Sequence, residues 1–308
     1  MTHHLLQIGG ITPDMRERLE AAFTIYQLDD FDPTAITHVI TNGHDGVNPE
    51  LMTSLSNLKV ISGYGVGYDA IDVTEAVRRN ILVAHTPNVL NQEVATTALL
   101  LLLACYRELL HDDAYVRSGD WQAKGNAPLT RSMDKQTVGI LGLGRIGQAI
   151  ADKLAPWDAT VVYHSRGKKD VPYRYFDNLT KMARACDALI CITPGGPSTH
   201  KIVNAEVLEA LGPNGTLINV SRGSVVDEAA LIAALTSGKL GWAGLDVFEA
   251  EPVVPQALRD LPNTVLLPHV GSATVETRAA MGALTVDNLL QHLKDGTVMT
   301  PVPECADL

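Results

Sequence analysis

Cysteine is scarce in this chain of 308 residues, which has only four, at positions 105, 186, 191 and 305. They form no C-x-x-C pair and stand in no cluster with histidine, so the spacing typical of zinc sites is absent. Cys186 and Cys191 lie in or beside an apolar run, where a free thiol packs as a small hydrophobic side chain. The sequence therefore predicts buried thiols there and no metal site.

Basic charge and long apolar segments are also lacking. The formal net charge of −11 argues against a nucleic acid or an acidic membrane as partner, although a local pocket can still bind a small anion. The leucine run 99–103 is too short to span a bilayer, since charged residues follow at 107 and 108. The chain begins Met1-Thr2-His3-His4 and enters a strand pattern at once, which gives no sign of a signal peptide. These observations predict a cytoplasmic protein.

What is present is a repeated alternation of short apolar runs with amphipathic stretches. In the first part of the chain the strand-like runs are 5–8, 24–28, 37–41, 59–62 and 82–84. The helical stretches between them begin with Thr12, Asn48 and Asp72, which are suitable N-cap residues. Strands that alternate with helices predict an α/β fold with a mostly parallel sheet and helices on both faces.

A second series of the same kind follows a long helical pattern that spans 91 to about 118 without an internal proline. Its strand-like runs are 137–141, 160–163, 189–192, 216–219, 241–245 and 264–266, which is the strand content of a dinucleotide-binding domain. A last helical pattern covers about 274–294. We predict two doubly wound domains, the first formed by residues 1–97 with 283–308 and the second by 98–282.

A glycine-rich turn connects the first strand of the second series to the following helix. The pattern is G-x-G-x-x-G, with glycines at 142, 144 and 147. Gly142 permits the tight turn, Gly144 permits the close approach of a pyrophosphate, and Gly147 permits the packing of helix on strand. Arg145 and Ile146 begin the helix, whose unpaired amides and dipole favour an anion. The alternative is a glycine turn between any strand and helix, but the flanking pattern favours dinucleotide binding.

The end of the next strand indicates which dinucleotide is bound. In NAD-binding domains an acidic residue about 20 positions after the glycines binds the ribose 2′-hydroxyl. Here the strand ends in Ser165-Arg166, with two lysines just beyond. A hydroxyl and a guanidinium can bind a 2′-phosphate that a carboxylate would repel, so we predict NADP(H) over NAD(H). The alternative is a solvated basic turn beside Asp170.

Three later segments carry polar side chains directly after apolar strand patterns. Arg222 can bind a carboxylate through two parallel hydrogen bonds, His269 can act as acid or base, and Glu251 can keep that imidazole protonated. This set suits the reduction of a 2-keto acid, whose carboxylate is anchored and whose oxygen receives a proton. Each residue alone has a structural alternative, such as a pair between Arg222 and Asp227, but together they favour catalysis.

With these residues in place the chain resembles the D-isomer-specific 2-hydroxyacid dehydrogenases, and within them the NADP-preferring glyoxylate/hydroxypyruvate and hydroxyphenylpyruvate reductases. The resemblance rests on the stretches Gly65–Asp72, Val138–Gly147, Ser221–Asp227, Leu245–Pro252 and Pro268–Met281. It implies a flavodoxin-like substrate domain, a Rossmann dinucleotide domain, a cleft between them and a homodimer. It also implies an NADPH-dependent reductase that converts small 2-keto acids to D-2-hydroxy acids.

The resemblance further implies individual roles. Arg222, Glu251 and His269 match the catalytic set of the family, with Glu251 rather than Glu249 at the family position. The backbone amides of Val66 and Gly67 match those that bind the substrate carboxylate. Asp246 matches a residue near the nicotinamide carboxamide, with a cap of the following loop as the alternative, and Gly271 is a further candidate for cofactor binding.

Several alternatives remain open from the sequence. Glyoxylate, hydroxypyruvate, an aryl-pyruvate and a 2-keto sugar acid are all possible substrates, and an NAD-dependent dehydrogenase of another substrate range is the main competitor. A formate dehydrogenase is disfavoured, because such relatives carry Gln where Glu251 stands. A dinucleotide-sensing binding protein is disfavoured by the complete Arg, Glu and His set. Trp121 matches an aromatic residue near the subunit interface of relatives.

Overall fold

The computed structural model describes residues 3–308, which form two compact units. One unit comprises Met1–Leu90 and Ala273–Leu308, and the other comprises Asn91–Ser272. The sequence placed the boundaries at 97/98 and 282/283, inside two helices. The structure assigns each of these helices whole to one unit, because a cut within a helix would divide a single ladder of backbone hydrogen bonds. Residues 1 and 2, part of the first predicted domain, lie outside the described residues.

The first unit is built on a five-stranded parallel sheet. Its strands are β1 (His3–Gln7), β2 (Phe23–Tyr26), β3 (His38–Asn42), β4 (Val60–Tyr64) and β5 (Leu82–Ala84). Its helices are α1 (Pro13–Glu20), α2 (Pro49–Ser54), α3 (Val73–Arg78) and α12 (Val275–Asp295). The strand order β2-β1-β3-β4-β5 is that of flavodoxin-like domains, which confirms the predicted fold class.

The three predicted N-caps of this unit are all present. The side chains of Thr12, Asn48 and Asp72 each accept a hydrogen bond from the backbone N–H three residues later, at 3.3, 2.8 and 3.0 Å respectively. Each such bond pairs an amide that the helix itself cannot pair and stabilises the helix by about 1 kcal/mol. The helix starts were therefore readable from single residues.

The second unit is built on a seven-stranded parallel sheet. Its strands are β6 (Thr137–Leu141), β7 (Thr160–His164), β8 (Arg174–Tyr175), β9 (Ala188–Cys191), β10 (Thr216–Asn219), β11 (Trp242–Leu245) and β12 (Thr264–Leu266). The helices that precede the sheet in the chain are α4 (Asn91–Tyr106), α5 (Leu109–Arg117) and α6 (Asp120–Lys124). The remaining helices are α7 (Arg145–Leu154), α8 (Leu179–Arg184), α9 (Ala205–Leu211), α10 (Glu228–Thr236) and α11 (Gln256–Arg259).

The strand order of this sheet is β12-β11-β10-β9-β6-β7-β8. Counted from its first strand, the order contains the Rossmann arrangement 3-2-1-4-5-6 with one additional edge strand. The predicted dinucleotide-binding fold is thus confirmed. The two-residue strand β8 was not predicted, because it is too short to show any periodicity.

The single long helix predicted from 91 to about 118 was wrong. The structure ends α4 at Tyr106 and begins α5 at Leu109, and the two helices differ in direction by 59°. Glu108 between them has left-handed backbone dihedrals, with φ of +47°. Neither proline nor glycine marks this break, so no local signal could have predicted it.

All four cysteines are buried and free. Burial raises the pKa of Cys105, Cys186 and Cys191 to about 12, so these thiols stay protonated near neutral pH. The predicted role of Cys186 and Cys191 as core side chains is confirmed.

No single helix within residues 3–308 has both the length and the apolar character needed to cross a membrane. Within the same described range, α4 and α5 taken together meet that test as a bent pair.

Candidate active site

The three fingerprint glycines each meet the steric requirement expected of them. Gly142 has φ of +102°, and a Cβ there would lie 2.9 Å from the carbonyl oxygen of Ile192. A Cβ on Gly147 would collide with the carbonyl oxygen of Gly142, so α7 packs on the turn only because this side chain is absent. A Cβ on Gly144 would meet nothing within 4 Å. Open space therefore lies where a pyrophosphate would approach the turn.

The start of α7 offers unpaired amides to this open space. The first helical hydrogen bond runs from the Gln148 N–H to the Gly144 carbonyl at 2.9 Å. The N–H groups of Arg145, Ile146 and Gly147 precede it and have no partner within the helix. These amides, with the helix dipole, fit the diphosphate of a dinucleotide.

The turn after β7 is ordered by its own hydrogen bonds. The Ser165 hydroxyl donates to the Gly167 carbonyl at 2.8 Å, and the Tyr175 hydroxyl donates to the Ser165 carbonyl at 3.3 Å. Arg166 is exposed beside these residues. Within residues 3–308 no ion pair joins it to Asp170. The turn thus carries a hydroxyl and an exposed guanidinium, and no ion pair within the described residues engages that guanidinium.

The loops that carry the predicted catalytic residues leave one edge of the sheet. Strands β10, β11 and β12 are neighbours, and their last residues Asn219, Leu245 and Leu266 stand in register. The pairing continues beyond the strands, because the Asp246 N–H donates to the Asn219 carbonyl at 2.9 Å. The three loops therefore start side by side at the carboxyl ends of parallel strands, where α/β sheets bind ligands.

The loop of Arg222 is shaped by two residues that sequence analysis missed. The buried amide side chain of Asn219 donates to the Arg222 carbonyl at 3.0 Å and accepts from the Ser221 N–H at 3.1 Å. A Cβ on Gly223 would collide with the backbone of Phe248 in the loop after β11. This close packing fixes the Arg222 loop against the segment that leads to Glu251.

Glu251 and His269 form a direct pair. The imidazole Nδ1 donates to one carboxylate oxygen at 2.7 Å, and the Phe248 N–H donates to the other at 2.9 Å. Glu251 is 17% exposed and His269 is 43% exposed, so the carboxylate is the more enclosed partner. Glu249 instead pairs with Lys201 at 3.0 Å. The structure thus places Glu251, and not Glu249, against the imidazole.

Asp246 holds the backbone that carries His269. Its carbonyl accepts the His269 N–H at 2.8 Å, and its carboxylate accepts the N–H groups of Val270 at 2.7 Å and Gly271 at 2.8 Å. His269 has φ of +53°, a conformation that non-glycine residues rarely adopt. Burial raises the pKa of Asp246, while the two amide bonds favour its charged form. These contacts match the loop-capping alternative for Asp246 and stabilise the strained backbone of His269.

The predicted substrate amides lie in the first unit, in the turn after β4. The Gly65 carbonyl accepts the Thr86 N–H at 2.8 Å, and the Val66 carbonyl accepts from the His85 side chain at 2.9 Å. Within residues 3–308 no hydrogen bond engages the N–H of Val66 or of Gly67. Two successive amides are therefore available to an anion.

A Rossmann sheet with a fitted glycine turn, together with a histidine–carboxylate pair at its carboxyl edge, defines a nicotinamide-dinucleotide-dependent dehydrogenase. The chain belongs to the D-isomer specific 2-hydroxyacid dehydrogenase family, whose NAD binding domain matches residues 99–271. The family predicted from the sequence is thus confirmed.

Similar proteins extend this match over almost the whole chain. A 2-ketogluconate reductase of Gluconobacter oxydans is 43% identical over 304 residues, which cover 97% of this chain and 98% of that protein. A hydroxyphenylpyruvate reductase of Plectranthus scutellarioides is 44% identical over 269 residues, which cover 87% and 86%. The crystal structure of an NADPH-dependent glyoxylate/hydroxypyruvate reductase of Sinorhizobium meliloti, in complex with NADP and malonate, has a TM-score of 0.94 and 44% identity, and covers 99% and 98% of the two chains.

Proposed function

We propose that this protein is an NADPH-dependent reductase of small 2-keto acids, of the glyoxylate/hydroxypyruvate type, which forms D-2-hydroxy acids. The observation that carries the proposal is the pair of His269 Nδ1 and Glu251 at 2.7 Å, on a sheet edge shared with the loop of Arg222. The names of the similar reductases support the same reaction.

The cofactor is held, in this proposal, by the second unit. Gly142, Gly144 and Gly147, with the first amides of α7 at Arg145 and Ile146, bind the diphosphate. Ser165 and Arg166 bind the 2′-phosphate, which makes NADPH the preferred form. Asp246 and Gly271 border the nicotinamide end. When bound, NADPH supplies the hydride for the keto carbon. The similar structure from Sinorhizobium meliloti, a complex with NADP, supports this choice.

The remaining chemistry belongs to side chains of this protein. His269, protonated, donates from Nε2 to the carbonyl oxygen of the substrate, since its Nδ1 is engaged by Glu251. The Glu251 carboxylate stabilises the imidazolium and fixes the ring orientation. Arg222 binds the substrate carboxylate and polarises the carbonyl through charge-assisted hydrogen bonds. The N–H groups of Val66 and Gly67 bind the carboxylate as well.

A 2-keto sugar acid is a second candidate substrate. The 2-ketogluconate reductase of Gluconobacter oxydans matches this chain from end to end, with 43% identity. The carboxylate and the keto group of 2-ketogluconate have the same arrangement as those of hydroxypyruvate. The same residues would therefore bind and protonate either substrate. The two candidates differ in the part of the substrate beyond the keto carbon, which in 2-ketogluconate is longer and carries more hydroxyl groups.

We also propose that the protein acts as a homodimer in the cytoplasm. Six large apolar side chains between residues 100 and 129 are at least 51% exposed: Leu100, Leu109, Leu110, Val116, Trp121 and Leu129. Apolar surface of this kind is typical of a subunit interface. Sedimentation equilibrium would measure the mass, and a monomer at micromolar concentration would contradict the proposal.

A panel of keto acids with both cofactors tests the function directly. Glyoxylate, hydroxypyruvate, 4-hydroxyphenylpyruvate, 2-ketogluconate and formate are offered with NADPH, NADH and their oxidised forms, and cofactor oxidation or reduction is followed by absorbance. We expect the highest kcat/KM for glyoxylate or hydroxypyruvate with NADPH, and a product of D configuration. A preference for 2-ketogluconate would select the second candidate. Absence of turnover with every keto acid would contradict both.

A further inference from the structure

The turn Gly65–Gly67 presents its two amides through the orientation of two successive peptide groups. In a trans peptide the C=O and the N–H point in opposite directions, so fixing one fixes the other. The Gly65 carbonyl belongs to the same peptide group as the Val66 N–H, and the Val66 carbonyl to that of Gly67. Whatever holds these two carbonyls therefore aims both amides.

Both carbonyls are held by adjacent residues of a single segment. The Thr86 N–H donates to the Gly65 carbonyl at 2.8 Å, and the His85 side chain bonds the Val66 carbonyl at 2.9 Å. A carbonyl oxygen can only accept, so His85 must carry its proton on Nδ1. His85 is only 7% exposed, which shields this bond from competing water. The amides of Val66 and Gly67 consequently point away from residues 85 and 86.

His85 is itself fixed by the C-terminal segment. The Thr300 hydroxyl donates to the His85 carbonyl at 2.6 Å, and the His85 N–H donates to the Thr300 carbonyl at 3.2 Å. The fully buried amide side chain of Asn288 donates to the Thr300 hydroxyl at 2.9 Å and accepts from the Thr300 N–H at 2.9 Å. The ring of Tyr68 meets the His85 ring edge-on, with centroids 5.4 Å apart. The imidazole is thus an ordered donor within the first unit.

We propose that His85 is a positioning residue for substrate binding, which aims the Gly67 N–H at the substrate carboxylate through its bond to the Val66 carbonyl. The inference rests on the proposed function, because it takes the turn as the carboxylate site. His85 acts through the backbone and takes no part in proton transfer, which belongs to His269. Loss of its donor should weaken keto acid binding and leave the NADPH affinity unchanged.

The test compares two substitutions that differ in one donor. His85→Phe keeps an aromatic ring of similar volume beside Tyr68 but cannot donate, whereas His85→Gln keeps a donor. We expect His85→Phe to raise the KM for hydroxypyruvate by about 2- to 10-fold, the equivalent of one lost hydrogen bond, and His85→Gln to restore most of it. The inhibition constant of malonate should rise by the same factor. The Kd for NADPH, measured by fluorescence titration, should stay at the wild-type value.

His38→Phe is the matched control, because it replaces another buried histidine of the same unit. His38 is 2% exposed and begins β3, whereas the turn Gly65–Gly67 follows the opposite end of the neighbouring strand. Its KM for hydroxypyruvate should equal that of the wild type. Should His85→Phe fail to fold, Thr300→Val removes the hydroxyl that fixes His85 and should raise the same KM.

The outcomes separate this inference from the proposed function. A wild-type enzyme that turns over no keto acid contradicts the proposed function. An active wild type with an unchanged KM in both His85→Phe and Thr300→Val overturns the positioning role alone. An equal rise in KM and in the Kd for NADPH would also overturn it, since it would indicate a general structural effect.

Discussion

The two units each carry a glycine-rich turn after a parallel strand, and the two turns present amides by different means. In the second unit, Gly142 has a positive φ, and Gly147 allows α7 to pack so closely that its own N-terminus supplies the amides. In the first unit no helix begins at the turn after β4, and the peptide groups are aimed by hydrogen bonds from His85 and Thr86. One turn depends on steric space, and the other depends on hydrogen bonds from a neighbouring segment.

This difference fits the ligand that we propose for each turn. A helix N-terminus adds a dipole to its amides and suits a diphosphate that carries full charge over several oxygens. Two aimed amides without a helix suit a single carboxylate, and they need a further cation to bind it tightly. The guanidinium of Arg222 is the side chain we assign to that role.

Among the substitutions that test the difference between the two turns, removal of the Arg222 guanidinium should have the largest effect. Arg222→Ala should lower kcat/KM for hydroxypyruvate by about 100-fold or more, because two charge-assisted hydrogen bonds are lost. Arg222→Lys should recover only part of this loss, since an ammonium cannot bond a carboxylate through two parallel bonds. Steady-state kinetics measures both. Unchanged kinetics in Arg222→Ala would mean that the amides suffice.

A matched pair of glycine substitutions should give the next largest effect. Gly147→Ala should weaken NADPH binding by about 10- to 100-fold, because the added Cβ collides with the Gly142 carbonyl and displaces α7. Gly65→Ala should change the KM for hydroxypyruvate by less than about threefold, since the nearest atom to a Cβ there is 3.7 Å away. Equal losses from the two substitutions would contradict the distinction between the turns.

A smaller effect is expected at the 2′-phosphate. Arg166→Asp should shift the ratio of kcat/KM for NADPH over NADH by about 10-fold or more toward NADH, because a carboxylate repels the phosphate and can bond the 2′-hydroxyl. Arg184→Asp on the exposed side of α8 is the control, as it makes the same change of charge. A ratio that moves equally in both variants would mean that the phosphate is held elsewhere.

The smallest effect on catalysis is expected for His38→Phe. His38 instead affects the stability of the folded protein in acid. Burial, with the neighbouring His292, lowers the pKa of His38 from 6.5 to about 3. Between pH 6.5 and about pH 3 the imidazole of His38 is therefore protonated in the unfolded chain but neutral in the folded chain. The free energy of unfolding is therefore not reduced by His38 above about pH 6.5. Below that pH it falls by up to about 1.4 kcal/mol per pH unit.

Urea unfolding at pH 7 and pH 5 measures this loss. His38→Phe should reduce the difference in unfolding free energy between the two pH values, while its kinetics at pH 7 match those of the wild type. The same pH dependence in both proteins would mean that other groups govern acid unfolding.

Much of the fold was predictable because it rests on local signals. Periodicity gave the alternation of strands and helices, and single residues such as Thr12 and Asp72 gave helix starts. The strand-end rule also directed attention to Arg222 and His269. The pairing of His269 with Glu251 was expected, and the structure contains it at 2.7 Å.

What was missed depends on residues far apart in the chain. The break at Glu108 has no local breaker, so it follows from packing rather than from sequence pattern. Asn219 shapes the Arg222 loop from the end of an apolar strand, and no sequence pattern indicates that its side chain bonds this loop. His85 depends on Thr300, 215 positions away, through a hydrogen bond that no periodicity encodes. The only signal for His85 was its position after β5, at the end of a strand.

The most direct test of the central claim is the rate of hydroxypyruvate reduction by His269→Gln at saturating NADPH. We expect kcat to fall by about 10²- to 10⁴-fold while the Kd for NADPH stays at its wild-type value, because only the proton donor has been removed. A kcat near that of the wild type would contradict the claim that His269 protonates the substrate.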